Sequence, residues 1–157
     1  HIGIQASLTG HLVFSTLHTN DSISAVTRLT DMGVEPYLIS GSLLGVVAQR
    51  LVRRVCPHCK KEIPTSGVVL KNGIEKAWRG VGCEHCNGSG YRGRFGLYEQ
   101  FDVTPEIQDA IARGAALHEL KSLARHGGFA TLLELGLQAV REGETTPEEM
   151  LRVVGEV

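Results

Sequence analysis

The spacing of apolar residues along the chain predicts both strands and helices. Residues 12–17 form a short apolar run after Gly10, which is typical of a strand buried on both faces of an α/β sheet. Apolar residues then recur at every third position from Ile23 to Met32, and residues 20–22 supply a capping side chain. The first part of the chain is therefore predicted to be a buried strand, a short turn and a helix.

A second helix is predicted to begin at Pro36 and to run to about Val55. Proline is favoured in the first turn of a helix, and the apolar residues after it recur at spacings of three and four. On this helix Arg50, Arg53 and Arg54 would share one side.

The composition changes between residues 56 and 96, where Cys, Gly, Lys and Arg replace most of the apolar residues. This composition indicates a small inserted module. Apolar and polar side chains alternate in residues 93–103, which predicts a strand that returns to the main body. Thr104 with Pro105 predicts the start of a helix. The remainder is predicted to be short helices divided near glycines and ending in one that starts at Thr146-Pro147, the dividing glycines being Gly114, Gly127, Gly128 and Gly143.

Composition narrows the class of protein. A chain of 157 residues with 42% hydrophobic content can form one domain, or one domain and a smaller attached module. Its formal net charge of -1 gives no general attraction to nucleic acid or acidic lipid. No apolar run approaches the roughly twenty residues that span a bilayer, and no secretory signal begins the chain. We therefore expect a soluble intracellular protein, and the start at His1 without Met suggests the latter part of something longer.

The four cysteines form two C-x-x-C pairs, Cys56 with Cys59 and Cys83 with Cys86, and the chain has no others. Two such turns can close a tetrahedron of thiolates around Zn²⁺ without leaving an open catalytic position. A module of about 40 residues with few aromatic side chains gains little from burial, whereas zinc contributes roughly 10–16 kcal/mol to small peptides. The pattern therefore favours a structural zinc site.

Three other interpretations of the cysteines compete with a zinc site. Disulfides are disfavoured in a chain expected to be cytosolic. A redox dithiol is possible because Cys56-Pro-His-Cys59 resembles the motif of thiol oxidants, but such enzymes need no second pair. Residues 83–90 also resemble one repeat of the zinc module of Hsp40-type cochaperones, although the first pair does not match that repeat. His58 and His85 could each replace a thiolate, but solvated turn residues are the simpler interpretation.

The local basic cluster beside the cysteines comprises Arg50, Arg53, Arg54, Lys60 and Lys61. It has no interleaved aromatic residues and no recognition-helix pattern. A polar helix face or a protein docking patch explains it better than binding to nucleic acid, so no nucleic-acid partner is expected.

Two histidines flank the predicted first strand. Ligands bind beyond the carboxyl ends of parallel strands, which is where His18 would lie, and Thr16 could assist it. From spacing alone, His18 fits a phosphate or water ligand and a hydrogen-bonded polar cap equally well. His11 would lie at the other strand end, where a structural hydrogen bond or a contact with a neighbouring subunit could explain it.

Three sequence segments together resemble a known family. They are "TGHLVFSTLHTND", "RLTDMGVEPYLISGSLLGVVAQRLVRRVCPHC" and "GCEHCNGSGYRGRFGLYE". In this order and spacing they resemble the secretion and pilus-assembly ATPases, in particular the type II secretion ATPase. The first looks like the family's His box, and the cysteine pairs look like the zinc-binding subdomain of its secretion and pilus-extension branches.

The resemblance implies a hexameric P-loop ATPase at the cytoplasmic face of the inner membrane. It would be held there by secretion platform proteins and would drive pseudopilus assembly with ATP and Mg²⁺. Thr16 and His18 would contact the nucleotide, with His18 catalytic. No G-x-x-x-x-G-K-[ST] loop is present, and no acidic strand end precedes the His box, so residues 1–157 alone are expected to be inactive.

The resemblance divides the chain into three parts. Residues 1–55 would belong to a RecA-like α/β core, residues 56–90 to a tetracysteine zinc module, and residues 91–157 to a return strand with a helical C-terminal tail. Residues 133–136 depart from the family's more charged pattern, which leaves the role of that stretch open. The alternatives are a type IV pilus assembly ATPase and, in another class, a non-catalytic zinc-ribbon binding module.

Overall fold

A computed structural model describes residues 2–155 and shows a mixed α/β protein. Helices occupy Ile2–Leu8 (α1), Ser24–Asp31 (α2), Pro36–Ser42 (α3), Gly67–Lys71 (α4), Pro105–Ala112 (α5), Leu117–His126 (α6), Leu132–Arg141 (α7) and Pro147–Val154 (α8). Strands occupy Gly45–Val55 (β1), Lys60–Pro64 (β2), Lys76–Gly80 (β3) and Tyr91–Asp102 (β4), and a 3-10 turn covers Glu84–Cys86.

The strands form two separate pairs. β1 pairs with β4, and β2 pairs with β3 in antiparallel register with Glu62 opposite Trp78. At one end of the first pair the Val103 N–H donates to the Leu44 carbonyl, at 3.0 Å. At the other end the Cys56 N–H donates to the Gly90 carbonyl, at 2.9 Å, so β1 and β4 also run antiparallel.

Packing divides the chain into two compact units. The first contains the chain up to Ala48 together with Glu99–Ala130, and the second contains Gln49–Tyr98 together with the chain from Thr131 onward. The predicted parts 1–55, 56–90 and 91–157 follow the family resemblance, whereas these units follow which residues pack together. The helices α7 and α8 thus belong with the cysteine pairs.

The first unit has an apolar core built from helices α2, α3, α5 and α6 and from one end of β4. Its fully buried side chains include Ile23, Ile39, Phe101, Ile107 and Leu120. The prediction of helix α2 is confirmed, and Asp21 supplies the expected capping side chain. Its carboxylate accepts hydrogen bonds from the Ser24 N–H and hydroxyl, at 2.8 and 2.9 Å.

The second unit has a smaller apolar core that the C-terminal helices complete. Val69, Ile74 and Ala77 pack with Leu137, Val140 and Met150. The stretch 133–136 lies in α7, where Glu134 closes a capping box with Thr131. A Cβ on Gly136 would lie 2.6 Å from the Met150 Cγ, so a glycine is needed where α8 packs against this helix.

The predicted buried strand over residues 12–17 is wrong. Residues 11–19 have no regular structure, and the side chains of Leu12 and Phe14 are 70% and 88% exposed. A strand in the interior of a sheet needs hydrogen-bonded neighbours, and all four strands of the described chain pair with one another instead.

The predicted helix from Pro36 to Val55 is correct only as far as Ser42. The following residues form β1, in which exposed and less exposed side chains alternate. This stretch is rich in β-branched valines, which favour strands, and its period of two was mistaken for a helical spacing. Arg53 therefore projects from the opposite face to Arg50 and Arg54.

The later elements agree with the sequence. The return strand is β4, and the predicted divisions near the glycines separate α5, α6, α7 and α8. Thr104 and Thr146 cap α5 and α8 by accepting hydrogen bonds from the Ile107 and Glu149 N–H groups. None of the helices within residues 2–155 has the length and apolar character needed to cross a membrane.

Candidate metal centre

The two C-x-x-C pairs sit on two turns that face one another. The first turn follows β1 directly, and the second is the 3-10 turn that begins after Cys83. Two backbone hydrogen bonds link the turns. The Cys56 N–H donates to the Gly90 carbonyl at 2.9 Å, and the Val81 N–H donates to the Cys59 carbonyl at 3.1 Å. These bonds fix the four cysteines relative to one another.

The four sulfurs form one cluster with the spacing of a tetrahedral metal site. All four Sγ atoms lie within 4.8 Å of one another. The Sγ atoms are 3.8 Å apart for Cys56 with Cys83, 3.8 Å for Cys59 with Cys86, and 3.7 Å for Cys83 with Cys86. Sulfurs placed about 2.3 Å from one tetrahedral ion would be roughly 3.8 Å apart.

Disulfides do not account for this cluster. The cysteines are free thiols, and their separations are almost twice the S–S bond length of about 2.0 Å. Three of the four residues are buried, with only Cys83 partly exposed. The donor set of four converging thiols therefore fits a soft or borderline metal ion such as zinc.

Backbone N–H groups surround the Cys86 sulfur. The Cys83 N–H and the Gly90 N–H both donate to the Cys86 Sγ, at 3.2 Å each. Burial acts to raise the pKa of Cys86, but these two donors, together with hydrogen bonds from the Cys83 and Cys59 thiols, lower that pKa to about 6. The turn thus stabilises negative charge on this sulfur.

The pKa values of two other thiols are raised instead of lowered. Burial raises the pKa of Cys59 to about 11 and also raises the pKa of Cys83. Several thiols packed in a dry site resist ionisation together unless a cation compensates their charge. Metal binding at this cluster therefore has to displace protons, and its affinity has to fall in acid.

Close backbone approach at the second turn requires glycine. A Cβ on Gly80 would collide with the backbone of Gly90, and a Cβ on Gly82 would lie 2.6 Å from the Gly88 carbonyl oxygen. Gly82, Gly88 and Gly90 also have positive φ angles. The density of glycine between residues 80 and 90 is the sequence signal for this turn, although by itself it predicts only a loop-rich module.

The strand that leads into Cys56 is held by α8 and by the segment just before it. The Glu149 carboxylate is fully buried and accepts hydrogen bonds from the Arg53 backbone N–H and guanidinium, at 3.0 and 2.7 Å, and from Arg152. The Thr145 hydroxyl donates to the Arg53 carbonyl, and the Val55 N–H donates to the Glu144 carbonyl, at 2.8 and 2.9 Å. These bonds anchor β1 within three residues of the first cysteine.

Arg152 and Arg53 lower the pKa of Glu149 to about 2, against the opposing effect of burial. We name this arrangement, with Glu149 at the centre of Arg53 and Arg152, the Glu149 clamp. The sequence predicts the helix start at Thr146-Pro147 but not the role of Glu149, because the clamp joins residues almost 100 positions apart.

The predicted basic cluster does not form an open patch. Besides Arg53, Arg54 pairs with Glu144 at 2.6 Å and its guanidinium lies 4.7 Å above the Phe95 ring. Lys60 lies 4.7 Å above the Trp78 ring. Ion pairs and aromatic contacts within the second unit thus involve these three side chains. The shared helix face is wrong because residues 45–55 form a strand, whereas the docking patch stays a prediction.

His58 and His85 stack on each other rather than joining the thiols. Their ring centroids lie 4.0 Å apart with planes 27° from parallel, and both residues are exposed. The four-sulfur cluster is complete without either ring.

Thr16 and His18 lie in the extended segment 11–19 of the first unit, and both are exposed. Because residues 11–19 form no strand, His18 does not lie beyond the end of a parallel strand. The nucleotide role of these two residues therefore stays a prediction that depends on the family resemblance. His11 makes local contacts, with its Nδ1 3.2 Å from the Thr9 hydroxyl and 3.3 Å from the Ala6 carbonyl.

Comparison with known proteins confirms the resemblance. The family model described as "Type II/IV secretion system protein" matches residues 1–152. The chain is 51% identical to type II secretion system protein HxcR of Pseudomonas aeruginosa, over 97% of this chain and 30% of that protein. It is 48% identical to the type IV pilus assembly ATPase PilB of Thermus thermophilus, over 96% of this chain and 18% of that protein.

A third relative is type II secretion system protein E of Aeromonas hydrophila, 47% identical over 99% of this chain and 32% of that protein. The chain thus spans about a third or less of the length of these curated relatives. Since the family model covers nearly all of its residues, the chain belongs to the type II/IV secretion system protein family.

Proposed function

We propose that this chain is the C-terminal part of an ATPase that powers type II protein secretion. The observation that carries the proposal is identity of 45–51% to type II secretion proteins over nearly the whole chain. In the full-length protein the first unit would complete a RecA-like core that binds ATP and Mg²⁺. A homo-hexamer of such subunits would drive pseudopilus assembly for export across the outer membrane.

A type IV pilus assembly ATPase is the second candidate. Relatives with that name are 48% and 43% identical to this chain, which overlaps the range of the secretion relatives. Deleting the parent gene separates the two: loss of exported proteins with normal pili supports secretion, and loss of surface pili with normal export supports pilus assembly.

The four-cysteine cluster has a structural role in this proposal, with Zn²⁺ held by Cys56, Cys59, Cys83 and Cys86. Its support is the sulfur spacing of 3.7–3.8 Å and the burial of three of the four residues. Four protein ligands leave no open coordination position for substrate. The ion would therefore fix the two turns and take no part in ATP hydrolysis.

Thr16 and His18 would contribute to the nucleotide site of the full-length protein. His18 would donate a hydrogen bond to a phosphate oxygen or orient the attacking water, and Thr16 would contact the same nucleotide. The parent would act in the cytoplasm, on the inner membrane, through secretion platform proteins. These roles rest on the family resemblance of residues 9–21.

The test is steady-state ATP hydrolysis with Mg²⁺ by the full-length protein, compared with residues 1–157 alone. The parent should hydrolyse ATP and the isolated residues should not. His18→Ala should lower kcat at least tenfold with little change in melting temperature, and His11→Ala is the matched control at the other end of the segment. A parent without ATP hydrolysis would instead support the non-catalytic zinc-ribbon module.

A further inference from the structure

A buried carboxylate in the first unit holds the start of helix α2. Glu99, on β4, is 2% exposed, and its Oε1 accepts hydrogen bonds from the Ser22 N–H and the Ser22 hydroxyl, at 2.7 and 2.6 Å. Ser22 is completely buried. The two residues are 77 positions apart in sequence, so this contact is a tertiary restraint on the segment before α2.

Burial of the Glu99 carboxylate has a free-energy cost, which suggests a role beyond packing. Burying a carboxylate is unfavourable unless it accepts good hydrogen bonds. The two bonds from Ser22 are short, as charge-assisted bonds are, and one of them satisfies a backbone N–H that water cannot reach. Apolar residues could fill the same space, so packing alone does not explain a glutamate here.

The restraint extends back along the chain to His18. The Thr19 hydroxyl donates to the Asp21 carbonyl at 2.9 Å, and the Asp21 carboxylate caps α2 through Ser24. Together with the Glu99 contact at Ser22, these bonds restrain Thr19, Asp21 and Ser22 in this turn. His18 is the residue immediately before this restrained turn.

We propose that Glu99 is a positioning residue for His18. By fixing Ser22, Glu99 sets where the turn 19–22 leaves the core, and so where the exposed imidazole of His18 is presented. The inference rests on the proposed function, in which His18 contacts the nucleotide. A displacement of about 1 Å at a catalytic group can cost up to about 100-fold in rate, so one distant carboxylate is sufficient to control turnover.

The experiment uses the full-length protein with Glu99→Leu and Glu99→Gln. Leucine removes the acceptor, and we expect kcat for ATP hydrolysis to fall roughly 10- to 100-fold with KM within about threefold. Glutamine keeps an oxygen that both Ser22 donors can reach, and it should restore kcat to within about threefold of wild type. Ser22→Ala removes one donor and should give an intermediate kcat.

Leu120→Ala is the matched control for loss of stability. Leu120 is buried in the core of the same unit, and its truncation leaves the Glu99 and Ser22 groups in place. It should lower the melting temperature but change kcat less than twofold. The proposal is overturned if folded Glu99→Leu keeps wild-type kcat, or if Leu120→Ala lowers kcat as much at an equal loss of melting temperature.

Amide hydrogen exchange separates this inference from the proposed function. In full-length Glu99→Leu, peptides covering residues 15–24 should exchange at least tenfold faster, while peptides from α5 and α6 stay unchanged. Glu99→Gln should exchange like wild type. If the parent shows no ATP hydrolysis, the proposed function fails, and unchanged exchange in residues 15–24 would separately show that Glu99 anchors nothing.

Discussion

The unit that contains Phe101 and the unit that contains the cysteines bury different kinds of groups. The first buries a continuous set of large apolar side chains from four helices and one strand end, with one carboxylate, Glu99, at its edge. The second buries three of four thiols, a fully enclosed carboxylate at Glu149, and a smaller apolar cluster around Met150. Apolar burial therefore dominates in the first unit, whereas polar groups and the four thiols take a larger share of the second.

This difference shows how a segment with little apolar content can still adopt one structure. The long stretch between β1 and β4 supplies few core residues, so its two turns depend on the sulfurs and on glycine contacts. Helices α7 and α8 supply the missing apolar surface and the Glu149 clamp. Removing one kind of interaction should therefore affect one unit and spare the other.

Loss of the bound metal should have the largest effect. Zinc contributes roughly 10–16 kcal/mol in small peptides at neutral pH, more than a small unit can lose without unfolding. Cys59→Ser should therefore increase amide exchange across residues 49–98 while the amides of α5 and α6 stay protected. Exchange is followed by mass spectrometry.

His58→Ala is the control for that experiment. His58 lies in the same turn but outside the sulfur cluster, so this variant should keep wild-type exchange and metal content. Equal loss of protection in both variants would mean that the histidines bind the metal as well.

Truncation of the apolar core in the first unit should have the next largest effect. Leu120→Ala should lower the free energy of unfolding of that unit by about 3 kcal/mol, because it removes a fully buried side chain and leaves a cavity. The metal content should stay unchanged. Denaturant unfolding together with metal analysis measures both, and loss of metal in this variant would contradict the separation of the two units.

The Glu149 clamp should make the second unit sensitive to acid. The pKa of Glu149 is about 2 in the folded chain against an ordinary value of 4.5. A lowered pKa stabilises the fold above the ordinary value, and that stability disappears as the pH falls from about 5 toward 2. The shift corresponds to roughly 3 kcal/mol.

The measurement compares wild type with Glu149→Gln at each pH, since acid also releases metal from thiolates. The difference in unfolding free energy should be roughly 2–3 kcal/mol at pH 7 and should vanish near pH 2. Glu148→Gln is the control, because its ion pair with Arg79 is exposed and is worth less than about 1 kcal/mol. A difference that does not depend on pH would contradict the clamp.

The smallest effect should come from the cap of α8. Thr146→Ala removes a hydroxyl that accepts from the Glu149 N–H and that lies 2.7 Å from the Tyr91 hydroxyl. We expect a loss of about 1–2 kcal/mol in the second unit. Thr104→Ala, the equivalent cap in the first unit, should lower the stability of that unit instead, and an effect of both variants on the same unit would weaken the comparison.

Local signals in the sequence predicted most of the later elements correctly. Helices α5, α7 and α8 begin at capping threonines, and the helices after β4 end near glycines; both signals act within a few residues. The four cysteines were also found as one set, because two paired turns are recognisable by spacing alone.

Features that depend on distant residues were not predicted. The valines between residues 45 and 55 fit a helix or a strand, and only the pairing with β4 decides between them. The apolar run at residues 12–17 indicated a buried strand, yet no strand within residues 2–155 pairs with it. Glu99 and Glu149 each act on residues more than 70 positions away, so no local pattern marks them.

Zinc content and sulfur coordination test the central claim most directly. Freshly purified, reduced protein should contain one zinc per chain, and X-ray absorption at the zinc edge should show four sulfur neighbours at about 2.3 Å. A zinc content near zero, or a coordination shell with nitrogen in place of sulfur, would contradict the claim that Cys56, Cys59, Cys83 and Cys86 hold one metal ion.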